Sequence, residues 1–541
     1  MLLAMFLSTF YPAFRITRAE TGSTGLAILA ALCFLLVWVG IMVAAGRVFS
    51  AAWKQLARAA AHPLTFPALL LTGMLLRIAY ACLSAPLPEQ DFRTVLNAAL
   101  RFASDDFSYV TEPYFQVWGY QQGMVILEGL LLKVSGGFIG LPAFVWLLCS
   151  TAIGWLVWRI GTGMASGRNR PGLLLGTALC LLAIPSILYA AVLSNDHPAT
   201  CLLYGAFALL LAQSGSARRN AQSRNGTPAV ARPYGRLPYD AAAGAMLALG
   251  HLIRPVGMFA LIAVAAWLLL QPATSRRHTL PLRAIRLATV AGVFLLTLWT
   301  VNHAAVSAGW TDGPMTNRDP LYKVTVGLNP NSHGWYSGED AKDLDRFAPV
   351  PDRRERNQTL IRERLSHPVA VAGLMLDKFV SFWGDFDGCI LWGLGANAPT
   401  SVIVILSVAA QLDYAALLLF AALAPLMRSL RLLRRHRHRR LARAPADGVR
   451  QRRGDLPERS GVRIIRPQAH NETLLLLRIL LIGYVLVHLI VEIQTRYRYF
   501  LMPALCLMAA DGIPTFVALA RLHRMRRADK KPAIAAAREK G

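Results

Sequence analysis

The feature that most constrains this chain is a series of apolar runs, each about 20 residues long, the length that spans the hydrocarbon core of a bilayer. They cover 25–46, 64–85, 138–158, 171–194, 197–213, 239–254, 256–271, 287–306, 399–426, 473–493 and 498–520. With 55% hydrophobic residues and a mean hydropathy of +0.41, the chain lacks the polar surface to enclose them as a soluble globule. In lipid, a spanning segment must pair its own backbone N–H and C=O groups. The expected fold class is therefore an all-α polytopic membrane protein of about 11 transmembrane helices. The apolar stretch 120–134 is too short to count as a crossing, and is expected to be re-entrant or to lie along the interface. Met1–Phe14 lacks the basic start and small-residue cleavage site of a signal peptide, and reads as an interfacial helix or partial span.

Charge sets the orientation. The net +27 is not gathered into one folded basic face, which argues against a nucleic-acid partner. It falls in short tracts between spans: Arg47/Lys54/Arg58, Arg159/Arg168/Arg170, Arg218–Arg236, Arg276–Arg286, Arg428–Arg466 and Arg521–Lys540. The positive-inside rule places all of them in the cytoplasm if 120–134 does not cross. The N-terminus is then outside and the C-terminus inside. Left outside are 86–137, the turn Ser194-Asn195-Asp196-His197-Pro198 and the long segment 307–398, with Arg254-Pro255 at the outer tip of a short hairpin. The expected organisation is a membrane-embedded region 1–427, a basic cytoplasmic linker 428–472, a C-terminal hairpin 473–520 and a basic tail 521–541. Arg431–Arg440 reads as a tether to anionic lipid head groups, and 214–238 and 443–468 as flexible linkers. The seven cysteines lie mostly inside apolar runs, without metal-type spacing.

The candidate chemistry lies at span ends. Asp91, in Pro88-Glu89-Gln90-Asp91-Phe92, follows the second span closely, where a carboxylate could take a proton from a hydroxyl beside a lipid-linked group. An ordinary interfacial anion is the plainer reading. Glu89 is the neighbouring alternative. Asp105 and Asp106 follow an expected helix at 92–103 and fit turn and cap roles, while Glu112 reads as a loop anion. Asp196 before His197-Pro198 fits a helix N-cap, or a contact to sugar or a divalent ion across from Asp91. His197 alone reads as structural. Arg254 interrupts an apolar stretch at a cost of about 2.5 kcal/mol or more unless paired. It either binds a lipid phosphate or snorkels to the interface. Arg496 and Arg498 flank Tyr497 and could fork onto one phosphate. The turn-rich 327–336 offers aromatics for sugar stacking, followed by a charged helix around 352–367. Asp385-Phe386-Asp387 is similar to a cation loop without its remaining ligands, and reads as an outer turn or a substrate-contacting loop.

Four stretches carry a family resemblance: 88–123 with the following MVILEGLLLKVSGG, Leu193–Pro198, His251–Gly257 (HLIRPVG) and Gln494–Pro503 (QTRYRYFLMP). Together they resemble the GT-C superfamily of polyprenyl-phosphate-sugar-dependent glycosyltransferases. The likeness is greatest to family 39, the protein O-mannosyltransferase and aminoarabinose transferase group. The resemblance implies a GT-C-like bundle with amphipathic or re-entrant helices in its first outer loop. It also implies an inverting transfer of sugar from a polyprenyl-phosphate donor to an acceptor hydroxyl at the outer face. Asp91 matches the family's catalytic acid. Glu89, Asp105, Asp106, Asp196, His197, Arg254, Arg496, Tyr497 and Arg498 are the implied substrate-binding set. No cofactor or metal is implied, a divalent cation being the alternative. The implied partners are the lipid-linked donor, membrane lipid and a protein, lipid or cell-wall acceptor, in a bacterial plasma membrane. The competing class is a lipid-linked oligosaccharide flippase or polymer exporter. That class would place ionisable residues at mid-membrane, and it gains no support from internal repeats, of which the sequence shows none.

Overall fold

The computed structural model describes residues 1–84, 86–164, 169–223, 237–271, 280–346, 350–441 and 468–538. Among the described residues all regular structure is helical. Seven helices are long and apolar enough to cross a membrane: Thr24–Ala61, Thr65–Ser84, Gly140–Met164, Leu280–Ser307, Thr400–Leu433, His470–Ile490 and Thr495–Met525. The helices Asp196–Ser223, Leu237–Ile253 and the shorter apolar Arg170–Leu182 and Gly257–Leu270 pack among them. The chain is an all-α, multi-pass membrane protein.

A helix stands at each expected span, with one correction. The run 171–194 is not continuous: Arg170–Leu182 ends, Ala183 turns extended (ψ 133°), and Ile184–Tyr189 starts anew. Pro185 is the cause, because it has no N–H for the carbonyl four residues back and its ring would collide there. The freed carbonyl belongs to Leu181. It accepts a hydrogen bond from Arg77 Nη1 at 2.7 Å. Arg77 is fully buried within the span Thr65–Ser84, and its other donors go to Gly73 O (2.9 Å), Ser150 Oγ (3.1 Å) and Ser186 Oγ (2.5 Å). In the sequence Arg77 interrupts an apolar run as Arg254 does, though it was not singled out as a candidate.

The helices Thr400–Leu441 and Met502–Arg538 also run past their expected ends at 426 and 520, so the basic linker and tail begin as helical extensions. Most of the expected linkers 214–238 and 443–468 lies outside the described residues.

In the first segment expected outside, Gln90–Ala103 buries Phe92, Val95, Leu96, Ala98, Ala99 and Phe102 along one face, against the helix Gln122–Val134. At 13 residues the latter is about 20 Å long, too short to cross, and it lies beside this amphipathic helix. Segment 307–398 folds into the helices Tyr322–Gly327, Gly338–Asp345, Val350–Leu365, Pro368–Gly384 and Gly388–Leu394. The N-terminal helices Leu2–Ser8 and Tyr11–Thr21 join this cover. Gln411 Nε2 in a span donates to Thr9 O (2.8 Å) and Gly384 O (2.6 Å), pinning cover to bundle.

Within lipid, helix association relies on close packing rather than on release of water. Gly512 lies against the Phe420 carbonyl of the neighbouring helix, with no room for a Cβ, whereas Gly292 has open space around it. Gly512→Leu should cost on the order of 1–3 kcal/mol through overpacking. Gly292→Leu should be near neutral. Thermal unfolding in detergent checks this, and equal melting temperatures for the two variants would contradict the helix pairing.

Candidate functional site

The segments expected outside converge on one cavity of about 1970 Å³. Its walls come from 90–124, the 193–195 turn, 254–259, the 307–398 cover and 484–497.

Its floor is a joint between spans. Asp196 Oδ1 pairs with Arg254 Nη1 at 2.7 Å, while Oδ2 accepts from Tyr189 Oη (2.6 Å) and Ser194 Oγ (3.0 Å). Asn195 Oδ1 also accepts from Arg254 Nη1 (2.8 Å), and its amide reaches Gln121 Oε1 and Ile253 O. Arg254 is 16% exposed and faces the cavity, with its guanidinium carbon 5.2 Å from the centre of the Tyr497 ring. Asp196 is thus neither the expected cap nor a vacant cation ligand. Its backbone N–H donates to Ser194 Oγ, and both carboxylate oxygens are occupied.

Arg496 stands beside it. Its Nε donates to Gln494 Oε1 at 2.7 Å, and its guanidinium lies among Trp392 (4.8 Å), Phe92 (5.3 Å) and Tyr497 (5.7 Å). Nη1 is buried and has no hydrogen-bond partner among the described residues. Phe92 is the chain neighbour of Asp91, so the ring that packs on Arg496 brings Asp91 to the same cavity. Asp91 is half-buried in the first turn of Gln90–Ala103, where peptide dipoles favour an acidic residue. Tyr114 and Tyr120 are close by. Burial, with a contribution from the Asp91 charge, raises both phenols, Tyr120 to about 12.

The remaining walls hold Lys323 and Glu492, which the sequence did not single out, and Asp385, from the loop expected to form a turn or to contact substrate. Lys323 and the buried Glu492 form an ion pair, and Gln494 Nε2 donates to Glu492 Oε1 at 2.6 Å. Behind the lining, the buried Lys378 donates to three carbonyls, those of Gly327 (2.7 Å), Leu489 (2.8 Å) and Val491 (2.8 Å). Asp385 is 4% exposed and lines the cavity. Arg15 Nη2 stands 3.0 Å from Oδ1, yet neither carboxylate oxygen receives a directed hydrogen bond among the described residues. Burial pushes this carboxyl up, with Arg15 opposing. Glu492 could have been found by the signal that marked Asp91, an acid just past the end of a span. Lys323 carried no such signal.

Several predicted residues lie away from the cavity wall. Both His197 ring nitrogens are engaged, Nδ1 with Tyr499 Oη (2.8 Å) and Nε2 with Tyr189 O (2.9 Å). Arg498 turns the other way from Arg496, donating to Thr495 O (3.1 Å) and Asp385 O (3.0 Å) and lying over the Tyr414 ring. The two arginines therefore form no fork. Glu89 accepts from the Ala396 N–H at 3.3 Å. Asp105 pairs with Lys133, and Asp106 with Arg101, whose hydrogen bond holds that carboxyl well below its usual range. Asp387 does line the cavity, but its Oδ1 accepts from the Cys389 N–H (2.9 Å) and caps the helix Gly388–Leu394. Among the described residues no three His, Cys, Asp or Glu side chains are grouped to hold a metal ion.

No family model and no curated protein matches the chain. Among solved structures it is similar to an archaeal oligosaccharyltransferase, AglB from Archaeoglobus fulgidus, in complex with an inhibitory peptide and a dolichol-phosphate. Identity is 12% and the TM-score 0.42, with 86% of this chain and 51% of that chain covered. This chain thus spans about half the length of that protein.

Asp196→Ala would leave the Arg254 charge buried without its carboxylate, an expected loss of about 3 kcal/mol or more. Asp105→Ala removes an exposed pair and should leave the melting temperature close to wild type. Thermal unfolding of both variants in one detergent tests the contrast.

Proposed function

We propose that this protein is a membrane glycosyltransferase of the GT-C type, resembling family 39. In this reading it transfers a sugar from a polyprenyl-phosphate donor to an acceptor hydroxyl at the outer face. The observation that carries the reading is the pairing of Asp91 with Arg496 across one cavity: a carboxylate without a protein ion pair among the described residues, beside a cation with an unmet buried donor. The motifs at 88–123, 193–198, 251–257 and 494–503 support it, because each contributes to that cavity or its floor.

The chemistry follows from these positions. The Asp91 carboxylate takes the proton of the acceptor hydroxyl as its oxygen bonds to the anomeric carbon. The bond from that carbon to the phosphate oxygen breaks, its electron pair stays on the phosphate, and the anomeric configuration inverts. Arg496 Nη1 donates to the phosphate as its charge grows. Arg254 has much of its charge offset by Asp196 and serves as a second, weaker donor. The aromatic faces of Trp392, Phe92 and Tyr497 hold the Arg496 guanidinium in place before substrate arrives, so little reorganisation is needed. The preferred sugar and the acceptor are questions for the assay.

Asp91→Asn should leave the protein folded and lower transfer by a factor on the order of a hundred or more, since the amide keeps the shape without the basic oxygen. Arg496→Ala should weaken both the holding of polyprenyl phosphate and turnover. Vesicles supplied with labelled polyprenyl-phosphate sugar provide the readout. Label crossing the membrane with no new glycosidic product would favour the flippase reading instead.

A further inference from the structure

We propose that Asp385 is a specificity-determining residue that accepts hydrogen bonds from ring hydroxyls of the transferred sugar. This rests on the reading of the protein as a polyprenyl-phosphate-sugar glycosyltransferase.

The first observation is unmet hydrogen-bonding capacity. A carboxylate offers about four lone-pair sites, and a buried one normally fills most of them. Asp385 lines the cavity at 4% exposure, and no donor among the described residues makes a directed hydrogen bond to either oxygen. Such a group is costly to bury unless a ligand completes it.

The second observation concerns charge. Arg15 Nη2, 3.0 Å from Oδ1, already offsets the negative charge. What the carboxylate still lacks is neutral hydrogen-bond donors. Hydroxyl groups meet that need better than an ammonium group, which would add a second cation beside Arg15. A metal ion would want further acids, and Asp387 spends Oδ1 on the Cys389 N–H.

The third observation is position. The loop bearing Asp385 is fastened to the turn bearing Arg496. Arg498 Nη2 donates to Asp385 O at 3.0 Å, and Gly388 N donates to Thr495 Oγ1 at 2.9 Å. A phosphate held on Arg496 carries its sugar one bond away, so the ring must lie in the same part of the cavity. Phe386, the chain neighbour of Asp385, and Trp392, 4.8 Å from the Arg496 guanidinium, also line the cavity and offer apolar faces on which a sugar ring can settle. A site built to bond a hydroxyl rejects an analogue without it strongly, because its own polar group is then left unpaired.

The test uses the purified full chain in lipid nanodiscs and compares binding of four probes: undecaprenyl phosphate and its mannosyl, glucosyl and galactosyl esters. Wild type should hold one sugar ester more tightly than the bare lipid. Asp385→Ala should weaken that ester by roughly ten- to a hundredfold and leave bare undecaprenyl phosphate unchanged. Asp385→Asn keeps the shape and one acceptor oxygen, and should fall between them. It also carries the test if the alanine variant does not fold. Monodeoxy forms of the preferred ester should identify the hydroxyl, as the one whose removal makes wild type and variant alike. The proposal is overturned if the variants weaken bare lipid and ester equally, if they weaken neither, or if no sugar adds affinity in wild type. If wild type does not bind even bare undecaprenyl phosphate, the functional reading itself falls, and this inference with it.

Discussion

The ion pair between Asp196 and Arg254 is the contact on which the cavity end of the molecule depends. It joins the start of one helix to the end of another, with the Asp196 carboxylate buried and Arg254 facing the cavity, so loss of either partner leaves the other poorly compensated. Tyr189, Ser194 and Asn195 complete it, so the 189–196 turn is shaped around that carboxylate. Arg254 in turn lies against Tyr497, and Tyr497 against Arg496. The position of the cation with the unmet donor is thus inherited, through one aromatic ring, from a buried salt bridge.

A second support lies beneath it. Pro185 interrupts the helix and orphans the Leu181 carbonyl; Arg77 from a neighbouring span answers it and also binds Ser186 on the far side of the break. A chain defect and a buried charge compensate each other, each of them costly alone in lipid. The short helix that follows carries Tyr189 to Asp196.

Much of this was legible in the sequence, and the reasons differ by residue. Span positions could be read because lipid tolerates only long apolar helices, and the segments expected outside could be grouped because they alternate with the basic tracts. Asp91, Arg254, Arg496 and Tyr497 stood out as polar groups at span ends, and the fold brings all four to one cavity. Arg498 stood out equally and turned away. It lies in a 3-10 segment, where residues two apart point about 120° from one another, so only one of the two arginines can face a given wall. The role of Arg77, a charge inside an apolar run, was not legible because its partners exist only once Pro185 has broken a helix elsewhere. Lys323 and Glu492 were missed because their pairing joins residues far apart in the chain.

Lys378 bears on how the cavity can be reached. Its single ammonium gathers carbonyls from the end of a span and from the loop above it. Two backbone hydrogen bonds run alongside, Glu492 N to Lys323 O and Ile493 N to Gly334 O. Cover and last hairpin are therefore one mechanical piece, and the cover cannot lift like a hinged roof without tearing the turn that holds Arg496. Any parting must follow the thinner seams, where Arg15 meets Asp385 and where Glu89 meets the Ala396 N–H.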